Sequence, residues 1–276
     1  MVKRRSLILI AGWAHTEHAL HNVVSALHGG AYDFKVKSTW RLLSQMEQAI
    51  RQGSGPKPSC FAQGEDFVQR AACKENSVLS CYAKGLNQIL EKQDTPCFVV
   101  GWSAGGMVAL EVACENPELL EGLVVIGATA KLCADKGYPC GVAARNVRVM
   151  ILGIRKDTKG VLDRFFQDVS WPAVESERCR NKKVNEAHHM GMEPLVHGLR
   201  YLQKTDLRYR LKRVEVPTLI IHGRQDRIVP WQAGAWLNHS LPDSRLIIHE
   251  GVGHDIPERQ PIVLASEIRE FLEDRC

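Results

Sequence analysis

Three residues whose types could together perform nucleophilic catalysis each follow an apolar run of this chain. Ser103 lies in GWSAG, which fits a G-x-S-x-G turn between a buried strand and a helix. Gly101 and Gly105 would let that strand and helix approach each other closely. A serine hydroxyl alone is a weak nucleophile, so it needs a base and a group that orients the base. Ser103 is predicted to be the attacking residue.

The base and its orienting partner are predicted further along the chain. Asp226 lies in HGRQDRIVP and His254 in GVGHDIP, each directly after an apolar run. In a catalytic triad the imidazole takes the hydroxyl proton and the carboxylate fixes the imidazole tautomer. Asp226 could instead be a turn residue and His254 a solvated loop residue, but the shared position after strands favours the triad. Asp255 is a rival carboxylate, disfavoured because successive side chains usually point apart.

The oxyanion formed by such an attack needs hydrogen-bond donors. The backbone N–H of Ala104 is predicted to be one donor, and the N–H of Trp13, in the loop AGWAHTEH, the second. Gly12 is expected to keep that turn open. Gly12 and Trp102 are predicted to border an apolar substrate pocket, and a plain core position is the alternative for Trp13.

These loops need a scaffold that brings them to one place. Apolar runs alternate with amphipathic helical patterns, which predicts an α/β fold: a mostly parallel sheet of about six strands with helices on both faces. We predict strands at residues 6–11, 33–39, 96–101, 122–127, 216–222 and 244–249.

Two segments interrupt this alternation. Residues 52–64 are rich in Gly, Pro and Ser and are predicted to form an exposed loop. Residues 131–213 carry helical patterns but no convincing strand. We therefore predict a core formed by residues 1–130 and 214–276, with a helical cap, residues 131–213, inserted in it.

Composition indicates a globular protein. The chain has 276 residues, of which 45% are hydrophobic and 24% charged, so it can bury a large core. The start, MVKRRSLILIAGWA, is interpreted as a first strand rather than a signal peptide, and no window is long enough to span a bilayer. Nine cysteines without a CxxC pair are typical of reduced thiols. We expect a cytoplasmic protein that binds no membrane.

Metal and nucleotide sites are not predicted. His15, His18 and His21 recur every third residue and could share a helix face, but no carboxylate or thiolate pattern completes a metal site. The sequence has neither a P-loop nor a G-x-G-x-x-G element, so no nucleotide cofactor is expected.

Positive charge is concentrated in the predicted cap. Residues 131–213 contain 18 Lys and Arg against 9 Asp and Glu, a net charge of +9, whereas the whole chain carries +5. Such a surface would steer an acidic partner during association, and nucleic acid is disfavoured because no binding motif accompanies the charge. For each residue a solvated helix face is the alternative. The candidate contact residues are Arg145, Arg148, Arg155, Lys156, Lys159 and Arg164.

Taken together, the motifs resemble the α/β-hydrolase superfamily, and within it the pimeloyl-ACP methyl ester carboxylesterases of biotin synthesis. The stretches that carry the resemblance are LILIAGWA, GWSAGGMVAL, GLRYLQKTDLRYRLKRVEVPTLIIHGRQDRIVP and GVGHDIPERQP. The resemblance implies the order Ser, Asp, His for the triad and a helical cap that binds the acidic acyl carrier protein. It covers most of residues 6–275. Where the family carries a D-x-x-G-x-G turn, this chain has STWRLLSQMEQAI.

The resemblance thus implies a serine carboxylesterase that hydrolyses an acyl methyl ester. A general short-chain carboxylesterase is one alternative. A C–C hydrolase or a lyase of the same fold, as in menaquinone synthesis, is another. A binding protein with a vestigial triad is disfavoured because every catalytic element is present.

Overall fold

The computed structural model describes residues 5–28, 32–52 and 79–274. Within these ranges the strands are β1 (Arg5–Ala11), β2 (Tyr32–Ser38), β3 (Cys97–Trp102), β4 (Leu120–Ile126), β5 (Thr218–Gly223) and β6 (Ser244–His249). They form one six-stranded sheet in the order β2-β1-β3-β4-β5-β6, and every neighbouring pair is parallel. All six predicted strands are present, and the predicted fold class is confirmed.

Burial along the strands follows their place in the sheet. All residues of β3 and β5 are buried, because helices cover both faces of a central parallel strand. The edge strand β2 instead alternates between more and less exposed residues. Continuous apolar runs such as CFVV therefore mark the centre of the sheet.

Helices pack on both faces of the sheet. Their bounds are α1 (His21–Leu27), α2 (Thr39–Arg51), α3 (Cys81–Leu90), α4 (Ala104–Glu115), α5 (Ala144–Lys156), α6 (Thr158–Ser170), α7 (Glu177–His188), α8 (Met192–Lys204), α9 (Trp231–Ser240), α10 (Ile256–Arg259) and α11 (Pro261–Glu273). Short 3-10 turns lie at Glu17–Leu20, Pro117–Leu119 and Leu211–Arg213. Helices α1 and α11 share one apolar core with one face of the sheet, whereas α3, α4 and α9 share the other. None of the helices in the described ranges has the length and hydrophobicity to cross a lipid bilayer.

The segment between β4 and β5 contains four consecutive helices, α5 to α8. Buried polar contacts join it to the core: the hydroxyl of Tyr201 on α8 donates to Glu111 on α4, at 3.0 Å. Ser80 donates to the same carboxylate through its N–H and its hydroxyl. The division into a core and a cap at residues 131–213 stays a prediction. The loop predicted at 52–64 lies outside the described residues, except for Gln52.

Candidate active site

Ser103 lies at the turn between β3 and α4. Its backbone has φ 57° and ψ −123°, a left-handed conformation that non-glycine residues rarely adopt and that stores strain. Neighbouring backbone is too close for side chains: a Cβ on Gly105 would lie 2.4 Å from the carbonyl oxygen of Ile10. The turn therefore presents the Ser103 side chain at the edge where the carboxyl ends of the strands meet, which we call the carboxyl edge.

Asp226 and His254 meet at the same edge, from the loops after β5 and β6. The His254 Nδ1–H donates to Asp226 Oδ2 at 2.7 Å, and both residues are buried. The backbone N–H groups of Ile228 and Val229 donate to Asp226 Oδ1, each at 2.8 Å. Because Nδ1 carries the proton, Nε2 is the basic nitrogen. Nε2 is buried and has no hydrogen-bond partner among the described residues.

The environment of Asp226 keeps its carboxylate ionised. Burial raises the pKa of Asp226, but the charge of His254, the hydrogen bond from His254 and the N–H of His222 at 3.4 Å outweigh burial, so the net effect lowers the pKa well below its ordinary value. A permanently charged carboxylate can stabilise a positively charged imidazole beside it. This is the electrostatic condition for a histidine that accepts a proton.

Gly127, which the sequence analysis missed, packs directly against this pair. It follows β4 with φ +52°, and a Cβ there would lie 3.1 Å from His254 Nδ1 and 3.4 Å from Asp226 Oδ2. The positive φ favours glycine, and a Cβ would press against the His254 ring, which would have to shift by a few tenths of an ångström. The available signal was a glycine at the end of the apolar run LVVIG.

The loop after β1 lies against the turn that carries Ser103. A Cβ on Gly12 would be 2.8 Å from Ser103 Cβ and 3.3 Å from its Oγ. The Trp13 indole N–H donates to the carbonyl of Leu195 on α8 at 2.8 Å, which fixes the ring under that helix. Ala104 begins α4, so its N–H has no acceptor within the helix. That the N–H groups of Trp13 and Ala104 bind an oxyanion stays a prediction.

Comparison with known proteins identifies the family. A family model described as serine aminopeptidase, S33, matches residues 83–259, more than half of the chain. The chain belongs to this family of α/β hydrolases. The match includes the segments that carry Ser103, Asp226 and His254.

Relatives of this hydrolase include two bacterial proteins named pimeloyl-[acyl-carrier protein] methyl ester esterase. The one from Neisseria meningitidis serogroup A is 26% identical over 270 residues, covering 98% of this chain and 77% of the relative. The one from Nitrosomonas europaea is 26% identical over 254 residues, covering 90% of this chain and 88% of the relative. A solved structure titled bromoperoxidase, from Bacillus anthracis, shares the fold with a TM-score of 0.78 and 20% identity, covering 98% of this chain and 92% of that one.

Trp102 supports the histidine loop of this hydrolase from inside the protein. It is completely buried, and its indole N–H donates to the carbonyl of His254 at 3.0 Å. The ring centroid lies 5.8 Å from that of His254 and 4.3 Å from that of His15. The role of Trp102 and Gly12 as walls of a substrate pocket stays a prediction.

A small cavity lies between the Trp13 loop and α8. Its lining is mostly aromatic and aliphatic and comes from the loop after β1, the start of α2, α3 and the helices between β4 and β5. The residues that line it include Trp13, Thr39, Trp40, Tyr82, Met190 and Leu195. Thr39 and Trp40 belong to STWRLLSQMEQAI, the segment that runs from the end of β2 into α2. Sequence analysis missed the cavity residues of α2, α3 and α8 because their contacts join segments far apart in the chain.

The prediction that His15, His18 and His21 could share a helix face is wrong. His15 precedes the 3-10 turn and is buried, with its Nδ1–H donating to the carbonyl of Trp13 at 2.8 Å, whereas His18 and His21 are exposed. Burial lowers the pKa of His15 to about 3, so the ring is neutral. Among the described residues no group of three or more His, Cys, Asp or Glu could hold a metal ion.

Asp255, the rival carboxylate, does not contact His254 through a hydrogen bond. It accepts a hydrogen bond from the guanidinium Nε of Arg259 at 2.8 Å instead. The ring of His254 therefore takes its orientation from Asp226.

The six predicted contact residues are all exposed on α5 and α6. None of them forms an ion pair with another residue of the described ranges. Two apolar side chains on α5, Val149 and Leu152, are also exposed, by 66% and 67%. We call this surface the outer basic face; it consists of Arg145, Arg148, Arg155, Lys156, Lys159 and Arg164.

Proposed function

We propose that this chain is a serine carboxylesterase that hydrolyses the methyl ester of pimeloyl-ACP during biotin synthesis. The observation on which the proposal rests most is the buried His254 ring, whose Nδ1 is bonded to Asp226 while Nε2 has no hydrogen-bond partner among the described residues. The carbonyl of His254 accepts from the indole of Trp102, the residue before Ser103. The relatives named for this activity, which align with most of the chain, support the substrate. This pathway implies a cytoplasmic enzyme.

The reaction proceeds in two halves. His254 Nε2 accepts the proton of Ser103 as Oγ bonds to the ester carbonyl carbon, and the N–H groups of Trp13 and Ala104 stabilise the oxyanion. The carbon–oxygen bond to the methoxy group then breaks, and the proton on His254 leaves with it as methanol. Water, deprotonated by His254, attacks the acyl-enzyme and releases the free acid with Ser103 restored.

The surroundings of the site suit an acyl chain carried by an acidic protein. The small cavity beside Trp13 has room for about one water molecule, so a bound acyl chain would have to open it further against its mostly aromatic and aliphatic lining. In the proposed enzyme, residues 131–213 act as the cap over a core of residues 1–130 and 214–276. The outer basic face lies on that cap, where its unpaired charges would attract acyl carrier protein and raise the association rate.

The decisive experiment measures methanol released from pimeloyl-ACP methyl ester by the wild type and by Ser103→Ala. We expect the variant to lose at least about a thousandfold in kcat while its thermal unfolding stays close to that of the wild type. Near-normal turnover by Ser103→Ala would remove that residue from the mechanism.

Complementation and a substrate panel separate the alternatives. Expression of this chain in a biotin-requiring strain that lacks the esterase should restore growth. Turnover of short p-nitrophenyl esters without complementation would indicate a general esterase. Cleavage of diketones without methanol release would indicate a C–C hydrolase.

A further inference from the structure

His222, on β5, is a buried histidine that the proposed mechanism does not use. It lies four residues before Asp226, and its side chain is completely buried. Its Nε2 is 2.8 Å from the carbonyl oxygen of Val229 and 3.4 Å from Asp226 Oδ2. Because both neighbours are hydrogen-bond acceptors, Nε2 carries the ring proton. The other nitrogen, Nδ1, has no hydrogen-bond partner within the described ranges.

These contacts close the turn that carries the carboxylate. Both backbone polar groups of Val229 are hydrogen-bonded. Its N–H donates to Asp226 Oδ1 at 2.8 Å, and its carbonyl accepts from the Nε2–H of His222. The Oδ2 atom accepts from His254 on one side and faces the His222 N–H on the other. Each carboxylate oxygen is therefore fixed from two directions.

Helix α9 holds the His222 ring in this position from behind. A Cβ on Gly234 of α9 would lie 2.5 Å from His222 Nδ1, so only glycine leaves room for the ring. Helix α9 presents no Asp, Glu, Lys or Arg. Among the described residues, titratable groups near the Asp226–His254 pair include His15, across the Trp102 ring, and Asp255, which is paired with Arg259. The charge of Lys183 acts on both His15 and Asp255.

We propose that His222 is a positioning residue that clamps the Asp226 turn and moderates the charge on Oδ2 through its Nε2–H. This inference rests on the proposed function, because it assumes that Asp226 orients His254. Without the Nε2–H of His222, more of the negative charge on Asp226 Oδ2 would act on His254. That charge would favour the protonated form of the His254 ring. The carboxylate would also lose one of the contacts that fix its orientation.

The test compares His222→Leu with His222→Gln, since the Gln amide can restore an N–H near the position of Nε2 and Leu cannot. The measurement is kcat/KM for a short p-nitrophenyl ester across pH, because its acidic limb reports protonation of the base in the free enzyme. For His222→Leu we expect a loss of about tenfold, the value of a hydrogen bond to a charged group, and an acidic limb moved to higher pH. His222→Gln should return the limb towards the wild-type pH and recover most of the rate.

A uniform loss of rate with an unmoved acidic limb, or no difference between Gln and Leu, would overturn the inference in favour of simple core packing. If His222→Leu fails to fold, Gly234→Ala provides a second test, because its new Cβ displaces the His222 ring. The acidic limb of the Gly234→Ala profile should also move to higher pH, by a smaller amount. An unmoved limb in Gly234→Ala would also count against the inference.

Failure of the inference differs from failure of the proposed function. Esterase activity that persists in the Ser103→Ala variant would contradict the proposed function. If activity requires Ser103 but His222→Leu keeps the wild-type pH profile of kcat/KM, only the proposed role of His222 is contradicted.

Discussion

The carboxyl edge of the sheet and the outer basic face are built in opposite ways. At the carboxyl edge His254 and Asp226 are buried, their hydrogen bonds are 2.7–2.8 Å long, and a Cβ on Gly127 would lie only 3.1 Å from His254 Nδ1. On the outer basic face Arg148 and Arg155 are exposed and have no ion-pair partner in the described part of the chain.

In the proposed enzyme, this difference separates chemistry from recognition. Buried groups keep a fixed geometry and interact in a low dielectric, so moving one of them changes the barrier of the reaction. Exposed charges are screened within about 8 Å at physiological salt, and each contributes little alone. Substitutions at the carboxyl edge should therefore lower kcat, whereas those on the outer basic face should change association with a charged partner.

The largest effect among these variants is expected from Asp226→Asn. An amide cannot stabilise the positively charged imidazole and favours the wrong tautomer, so kcat should fall about ten-thousandfold. The control is Asp255→Asn, which removes an adjacent carboxylate paired with Arg259. Ester hydrolysis by purified variants measures both, and an equal loss in the two would contradict the assignment of Asp226.

Gly127→Ala should cost between about tenfold and a hundredfold in kcat. The new Cβ would meet His254 Nδ1 at 3.1 Å and Asp226 Oδ2 at 3.4 Å, and the residue has φ +52°. Gly251→Ala is a matched control, because Gly251 has φ +74° but no atom within 4 Å of the new Cβ. Both variants carry a backbone cost of about 1 kcal/mol, which thermal unfolding detects. If Gly251→Ala lowers kcat as much, backbone strain rather than contact with the pair is responsible.

Reversing charge on the outer basic face with Arg148→Glu and Arg155→Glu together should lower kcat/KM for an ester carried by acyl carrier protein about tenfold at low salt. Turnover of a small p-nitrophenyl ester should stay the same. High salt should reduce the difference, because screening weakens the interaction. Lys92→Glu makes the same kind of change at an exposed position before β3, at the opposite edge of the sheet. An equal effect of Lys92→Glu would indicate that net charge, not this face, matters.

The smallest effect concerns His249, which donates through Nε2 to Glu267 on α11 at 2.9 Å. Burial lowers the pKa of His249, but the hydrogen bond and charge of Glu267 outweigh burial and raise the pKa above 6.5. The ion pair is therefore fully present below pH 6.5 and is lost as the pH rises through the higher folded-state value.

His249→Gln should consequently cost about 1 kcal/mol of unfolding free energy in mild acid, and less as the pH increases above that range. Urea unfolding at several pH values measures the cost. His239→Gln, at an exposed position on α9, is the control and should show no such trend. A cost for His249→Gln that grows with pH would contradict the sign of the shift.

Local patterns were sufficient to predict the sheet and the residues at its carboxyl edge. Apolar runs mark all six strands, and Ser103, Asp226 and His254 each follow one of them. In a parallel sheet all carboxyl ends lie on one side, so loops that are far apart in the chain must converge there. The fold class and the meeting of Asp226 with His254 follow from that rule.

The contacts that refine the site required three-dimensional packing. His222 and Gly127 face Asp226 only because of how β4, β5 and their following loops pack together, and Trp40 meets Leu195 at one cavity only after α2 and α8 pack together. Regular spacing suggested a shared face for His15 and His18, yet the turn after β1 buries one and exposes the other. Sequence periodicity reports neighbours along the chain, whereas which distant side chains touch depends on how whole elements fill space against each other.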